Sequence, residues 1–268
     1  MNNLVICESP NTLALRAAES IVEIARQSLE TRGRFTLALC GGSTPEKTYL
    51  SLTLPQYKTS IDWARTYIFF GDERFVPHED SRSNFWLAEH TLLLHVPILA
   101  SQVFPVQTEW SSAAKAAKAY ERELLDFFGF PKSEPGRLRP RLNREELPRF
   151  DLILLGLGED GHTASLFPGS AALKVEDALV TWSLPGTLPP PVDRITFTYP
   201  LLNAARNVIF LVSGEQKAAI LHEVLEGTAS YEDYPAKGIQ PHEGRLTWYL
   251  DNSAAKDLTP RLLATSGR

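Results

Sequence analysis

A histidine that follows glycines and carboxylates, directly after an apolar run, is the most reactive grouping in this chain. Gly156-Leu157-Gly158-Glu159-Asp160-Gly161-His162 follows Asp151-Leu152-Ile153-Leu154-Leu155. An unperturbed imidazole titrates near ~6.5, so His162 can take a proton from water at neutral pH. Asp160, two residues earlier, can fix the tautomer and orientation of the ring. The same stretch spells G-x-G-x-x-G through Gly156, Gly158 and Gly161, the spacing of a dinucleotide loop. Two features argue against that function. Glu159 and Asp160 would repel a pyrophosphate. Pro168-Gly169 stops any helix within about two turns, because proline removes a donor and clashes with the preceding turn, whereas a dinucleotide fold follows its glycine loop with a long helix.

Three further groups suit an anion. Gly41-Gly42-Ser43-Thr44-Pro45 comes straight after a buried-strand pattern. Its glycines let backbone approach a ligand closely. Ser43 or Thr44 can cap a following helix, and Pro45 suits its first turn. Free N–H groups at such a start favour a phosphate. The Gly-Lys-Ser/Thr ending of a Walker loop is missing. In Gly71-Asp72-Glu73-Arg74, Arg74 can fork onto phosphate oxygens and Asp72 can accept from sugar hydroxyls. Asp80 and Ser83-Asn84 follow; Ser83 and Asn84 can cap the next helix, and Asn84 is also a second-tier candidate contact. Ser213-Gly214-Glu215-Gln216-Lys217 places Lys217 in the first turn of a helix, against the helix dipole, which points to a bound anion. The other histidines, His78, His90, His95, His222 and His242, are scattered and lack ligand spacing, so no metal is expected.

The elements that must carry these groups read as alternating strands and helices. Strands are predicted at Leu4–Cys7, Phe35–Cys40, Tyr67–Phe70, Asp151–Leu155, Asn207–Val212 and Leu246–Leu250. Arg194–Thr198 alternates apolar and polar residues, the pattern of a strand in a small antiparallel addition. Helices are predicted after Ser9 or Asn11, with Leu13, Ala17, Ile21, Ile24 and Leu29 on one face, and over Ser83–Leu94, Trp110–Phe128 and Gly214–Glu226, with a short one near Ser253. Pro131–Pro148, rich in proline and arginine, reads as a surface loop. Such alternation predicts an α/β fold, a mostly parallel twisted sheet covered by helices in three layers. Ligands gather at the carboxyl ends of parallel strands, so all four motifs are expected on one rim.

The bulk numbers narrow the partners. A formal net charge of -5 leaves no broad basic field, which argues against nucleic acid. The two cysteines, Cys7 and Cys40, sit in apolar runs and suggest neither a disulfide framework nor a zinc site. The start lacks a signal-peptide pattern, and no apolar run approaches the roughly 18 residues of a membrane span. No membrane partner, a cytoplasmic location, one domain over residues 1–268 and a monomer are the expectations.

Taken together the motifs resemble the 6-phosphogluconolactonase family, within the glucosamine/galactosamine-6-phosphate isomerase superfamily. The matching segments are Leu39 to Pro45, Gly71 to Arg74 with Asp80 and Ser83-Asn84, Phe150 to Gly169, Pro190 to Leu202, Leu211 to Leu221, and Gly244 to Asp251. Asp160-Gly161-His162-Thr163-Ala164-Ser165-Leu166-Phe167-Pro168-Gly169 is the most specific. The resemblance implies a modified Rossmann-like fold of the sugar-phosphate isomerase type. It also implies hydrolysis of 6-phospho-D-glucono-1,5-lactone in the oxidative pentose phosphate pathway, without a cofactor. His162 and Asp160 are then the catalytic candidates, and Gly41, Gly42, Ser43, Asp72, Arg74, Asn84 and Lys217 the substrate-binding ones. Cys40 replaces the small residue expected before the glycines. The sister glucosamine-6-phosphate deaminases also carry an Asp-Gly-His loop, but follow it with a Phe-Asn-Glu-Pro type segment. Here Leu166-Phe167-Pro168-Gly169 lacks that glutamate, and with it one participant in the proton relay. A non-catalytic sugar-phosphate sensor is the other alternative. Such a regulator needs a DNA-binding helix pair, and no basic helix precedes Leu4.

Overall fold

The computed structural model describes residues 3–130, 147–184 and 191–263. The chain opens with β1 (Asn3–Cys7), α1 (Pro10–Arg32), β2 (Phe35–Leu39), α2 (Ser43–Leu52) and α3 (Pro55–Lys58). β3 (Thr66–Phe70), β4 (Asp72–Arg74), α4 (Asn84–Thr91) and α5 (Ala113–Phe128) follow. After them come β5 (Leu152–Leu155), β6 (Val180–Ser183), β7 (Arg194–Phe197), α6 (Tyr199–Ala204) and β8 (Asn207–Val212). α7 (Ala218–Leu225), β9 (Arg245–Asp251) and α8 (Pro260–Leu263) complete the described part.

Six strands form one parallel sheet in the order β1-β9-β8-β5-β2-β3. β2 and β5 are buried along their whole length, as strands covered on both faces must be. α1 shows how local sequence sets the cover. Ser9 caps it by accepting from Thr12 N–H, Pro10 opens it, and Gly33 ends it at φ 72°. Leu13, Ala17, Ile21 and Ala25 recur at four-residue steps and are buried, and the helix packs on α2 and β9. The small residues on that face let helix and sheet approach closely.

The antiparallel addition is a three-stranded sheet, β4-β7-β6. Gly71 joins it to the main sheet: its N–H donates to Leu39 at 2.8 Å and its carbonyl accepts from Phe197 N–H at 2.8 Å. The architecture is the mostly parallel α/β sheet with a small antiparallel addition that the pattern predicts. Several bounds differ. Helix 83–94 ends as α4 at Thr91 and continues as a 3-10 turn at Leu93–His95. Helix 110–128 begins only at Ala113, because Ser112 is extended and caps it. Helix 214–226 splits into a 3-10 turn, Glu215–Lys217, and α7. Near Ser253 the chain makes hydrogen-bonded turns, and α8 comes later, at Pro260–Leu263. The loop read over 131–148 lies outside the described residues except for Leu147 and Pro148. Among the described residues no helix is long and apolar enough to cross a membrane.

Candidate active site

β8, β5, β2 and β3 are consecutive neighbours in a parallel sheet, so their carboxyl ends share one rim. β2 continues toward β3 at one edge, whereas β5 continues toward β8 on the other side. Chain connections that diverge between adjacent strands leave a crevice, the usual ligand position in open α/β sheets. A cleft of about 550 Å³ opens there. Gly41, Gly42, Asp72, Arg74, Gly158, Asp160, His162 and Lys217 all line it.

The loop after β5 is built around its histidine. Gly158 N–H donates to the His162 carbonyl at 2.8 Å, and Gly161 N–H donates to Gly158 at 3.1 Å. Gly161 sits at φ 80°, a conformation that glycine adopts without strain. Asp160 Oδ1 accepts from His162 N–H at 3.1 Å and lies 2.5 Å from His162 Nδ1. A side chain on Gly158 would occupy the space of the imidazole, 2.0 Å from Nδ1. Burial favours the neutral acid of Asp160, but its hydrogen bond to His162 and the charge of that ring outweigh this and hold the carboxyl below its ordinary value. A carboxylate facing Nδ1 selects the tautomer with the proton on Nδ1, which leaves Nε2 as the free base. The ring also leans on Phe167, centroids 4.8 Å apart. Its side chain is 16% exposed, enough to meet a small substrate.

The opposite walls carry the polar grip. Gly42 starts α2 at φ 115°, so the first N–H groups of that helix are presented at the rim. Gly41 has no room for a side chain, since a Cβ would lie 1.9 Å from Asn84 Oδ1. Arg74 Nη1 donates to the Arg82 carbonyl at 2.5 Å. Lys217 Nζ stands 3.9 Å from Glu159 Oε1. Burial lowers the Lys217 ammonium below its ordinary value against the pull of Glu159 and Asp160.

Two candidates stand apart. Ser43 is the exposed first residue of α2 and does not line the cleft. Asn84, 1% exposed, is not on the wall either. It backs Gly41 and donates through Nδ2 to the carbonyl and carboxylate of Asp72, at 2.8 and 3.1 Å. Burial at the head of α4 thus sets Asn84 behind Gly41 and Asp72. Among the described residues no group of three or more His, Cys, Asp or Glu is arranged to hold a metal ion.

The model of the glucosamine-6-phosphate isomerases/6-phosphogluconolactonase family matches residues 8–248. The chain belongs to this family. A 6-phosphogluconolactonase from Synechocystis sp. is 38% identical over 91% of this chain and 93% of its own. Among solved structures, a 6-phosphogluconolactonase from Trypanosoma cruzi superposes with a TM-score of 0.82 at 34% identity, covering 97% of both chains. The Trypanosoma brucei 6-phosphogluconolactonase gives 0.83 at 33% identity over 97% of this chain and 99% of that one.

The isomerase/lactonase fold also engages residues that the sequence reading left without a role. Glu73, fully buried, accepts from the N–H groups of Arg74, Asn84 and Phe85 at 2.7, 2.7 and 2.8 Å, and from the Ser83 hydroxyl at 3.0 Å. It ties β4 to the N-terminus of α4, where a carboxylate is favoured, although burial raises it above its ordinary value. Ser165 donates to Asp72 Oδ2 at 2.7 Å and receives Ser183 at its carbonyl at 2.9 Å. Ala164 lines the cleft at φ 48°, a strained value for a residue with a Cβ, of the kind that concentrates at functional sites. Glu73 falls inside a motif already singled out. Ser165 also falls inside a segment already singled out, but the partners of Ser165 and Ser183 lie far away in sequence, so neither role has a local signal.

Proposed function

We propose that this chain hydrolyses 6-phospho-D-glucono-1,5-lactone to 6-phosphogluconate, the lactonase step of the oxidative pentose phosphate pathway, with His162 as the general base. The observation that carries this reading is one base, oriented by Asp160, sharing a cleft with Arg74 and Lys217. Relatives at 33–38% identity are 6-phosphogluconolactonases, which supports the same substrate.

The chemistry follows from the geometry. His162 Nε2 takes a proton from water as the water oxygen attacks the lactone carbonyl. Asp160 stabilises the imidazolium that forms. Backbone N–H groups of a glycine loop, or a nearby cation, hold the developing oxyanion, and one such donor contributes roughly 3 kcal/mol. As the tetrahedral intermediate collapses, the bond from C1 to the ring oxygen breaks and that oxygen takes the proton back from His162. The carboxylic acid then ionises. Backbone N–H groups of Gly42 and Ser43 at the α2 start, with Arg74 and Lys217, hold the phosphate and so fix the carbonyl near the base. Asp72 and Gly41 shape the floor, and Asn84 supports them. The work needs neither redox chemistry nor a metal, because the reacting ester is already activated. One domain, acting as a cytoplasmic monomer, suffices.

Proton release after adding fresh 6-phosphogluconolactone, followed in a pH-stat, tests the function. A rate well above spontaneous hydrolysis, unchanged by EDTA, is expected. No acceleration would refute the lactonase reading, and loss of the acceleration with EDTA would refute its metal-free form. Ammonia release from glucosamine-6-phosphate in place of lactone hydrolysis would move the chain to the deaminases.

A further inference from the structure

The small sheet carries one charge that no role described so far uses. Arg194 in β7 lies directly across from Arg74 in β4, and Thr196 across from Asp72. Opposed residues of an antiparallel pair share a face, so Arg194 stands on the face of Asp72 and Arg74, both of which line the cleft. Arg194 itself is 8% exposed and does not line it. Its Nε has no hydrogen-bond partner among the described residues.

The neighbouring carboxylates are engaged elsewhere. Asp72 accepts from Ser165 and Asn84. Glu73, one residue on and so on the other face, accepts from α4. Arg82 is paired with Asp80. Two guanidiniums thus sit side by side, and neither forms an ion pair among the described residues. Burial, and next the charge of Arg74, push the Arg194 guanidinium below its ordinary value. A buried cation without a partner is costly, and buried unsatisfied groups in a folded protein call for a reason. A dianionic ligand one layer forward supplies one.

We propose that Arg194 is a positioning residue for the phosphate end of the substrate. It repels the Arg74 guanidinium toward the cleft, where the Arg82 carbonyl catches one arm, and it adds positive charge behind the fork. This rests on the phosphate assignment made above. Arg74 touches the phosphate, and Arg194 acts through Arg74. The cost of crowding two cations is relieved when the dianion arrives, so the pair favours phosphorylated over unphosphorylated lactones.

The test compares wild type with R194M, R194Q and R194K. In phosphate-free buffer R194M should melt at or above the wild-type temperature, because an unpaired buried charge has been removed. Its affinity for inorganic phosphate, measured by calorimetry, should fall about tenfold, and its KM for 6-phosphogluconolactone should rise about tenfold, the size expected for one nearby charge in a partly screened site. Its kcat, and its rate with unphosphorylated gluconolactone, should stay within about twofold of wild type. R194Q should behave like R194M, and R194K should keep the phosphate affinity within about threefold. Destabilisation of both neutral variants, equal loss on both lactones, or unchanged phosphate affinity would each overturn the proposal. If wild type hydrolyses neither lactone, the function fails, while the phosphate and melting measurements still decide the role of Arg194.

Discussion

Gly158→Ala is the smallest change that separates the position of the base from everything else in the cleft. The φ of Gly158 lies outside the left-handed region, so the backbone itself accepts alanine. The new Cβ would lie 2.0 Å from His162 Nδ1, 2.2 Å from Cε1 and 2.7 Å from Asp160 Oδ1. Ordinary contact begins at 3.4 Å, so the ring must retreat by 3.4 − 2.0, about 1.4 Å. The 2.5 Å contact between Nδ1 and Asp160 cannot survive that shift unchanged. Misplacing a reacting group by ~1 Å can cost ~10²-fold in rate, and complete loss of a general base costs ~10²–10⁴-fold. The kcat for 6-phosphogluconolactone should therefore fall by about 10²-fold. KM should stay within about threefold, because Arg74 on β4 and Lys217 in the turn after β8 stand on other elements. Overpacking should lower stability by about 1–3 kcal/mol, leaving the protein folded. Initial rates by pH-stat, with thermal melting as the control, read both effects. A folded G158A protein with kcat within about threefold of wild type would refute the idea that the geometry of this loop sets the rate.

Other outcomes follow from the same contacts. Lys217→Met should raise KM for the phosphorylated lactone with little effect on kcat, measured by initial rates. Because burial lowers the ammonium of Lys217, its charge is lost as pH rises before that of an exposed lysine. Wild-type KM should accordingly climb below the ordinary lysine value of 10.5, and K217M should lack that climb; rates are best followed there against the fast spontaneous hydrolysis. Glu73→Gln should destabilise by about 1–3 kcal/mol in denaturant titration, since an amide keeps only one acceptor oxygen for the donors that meet there. Gly41→Ala should destabilise and also raise KM, because its Cβ would displace Asn84 and crowd Arg74 Nη2, 3.4 Å away; chemical denaturation and kinetics on the same preparation check both.

The sequence shows the carriers of the site more clearly than its supports. Continuous apolar runs such as Leu152–Leu155 mark buried strands, and parallel strands place their following loops on one rim, so the gathering of the four motifs was legible. Less visible were elements whose identity depends on a distant partner. β4 is Asp72-Glu73-Arg74, three charged residues that have no strand propensity of their own. They are extended because β7 pairs with them. β6, Val180–Ser183, is only one residue longer and is held by β7 and α5. The depth of Asn84 was likewise hidden: a polar residue at a helix start reads as a cap or as a rim contact, and only the packing of α4 sets it behind Gly41. Arg194 read as one polar position in an alternating strand, and only the register against Arg74 gives it a reason.

The assignment of His162 as the base is tested most directly by the single-site variant His162→Ala, assayed with 6-phosphogluconolactone above the spontaneous rate. A folded protein with kcat reduced by about 10²-fold or more and KM little changed is the expected result. Near-normal turnover in a folded H162A protein would contradict it.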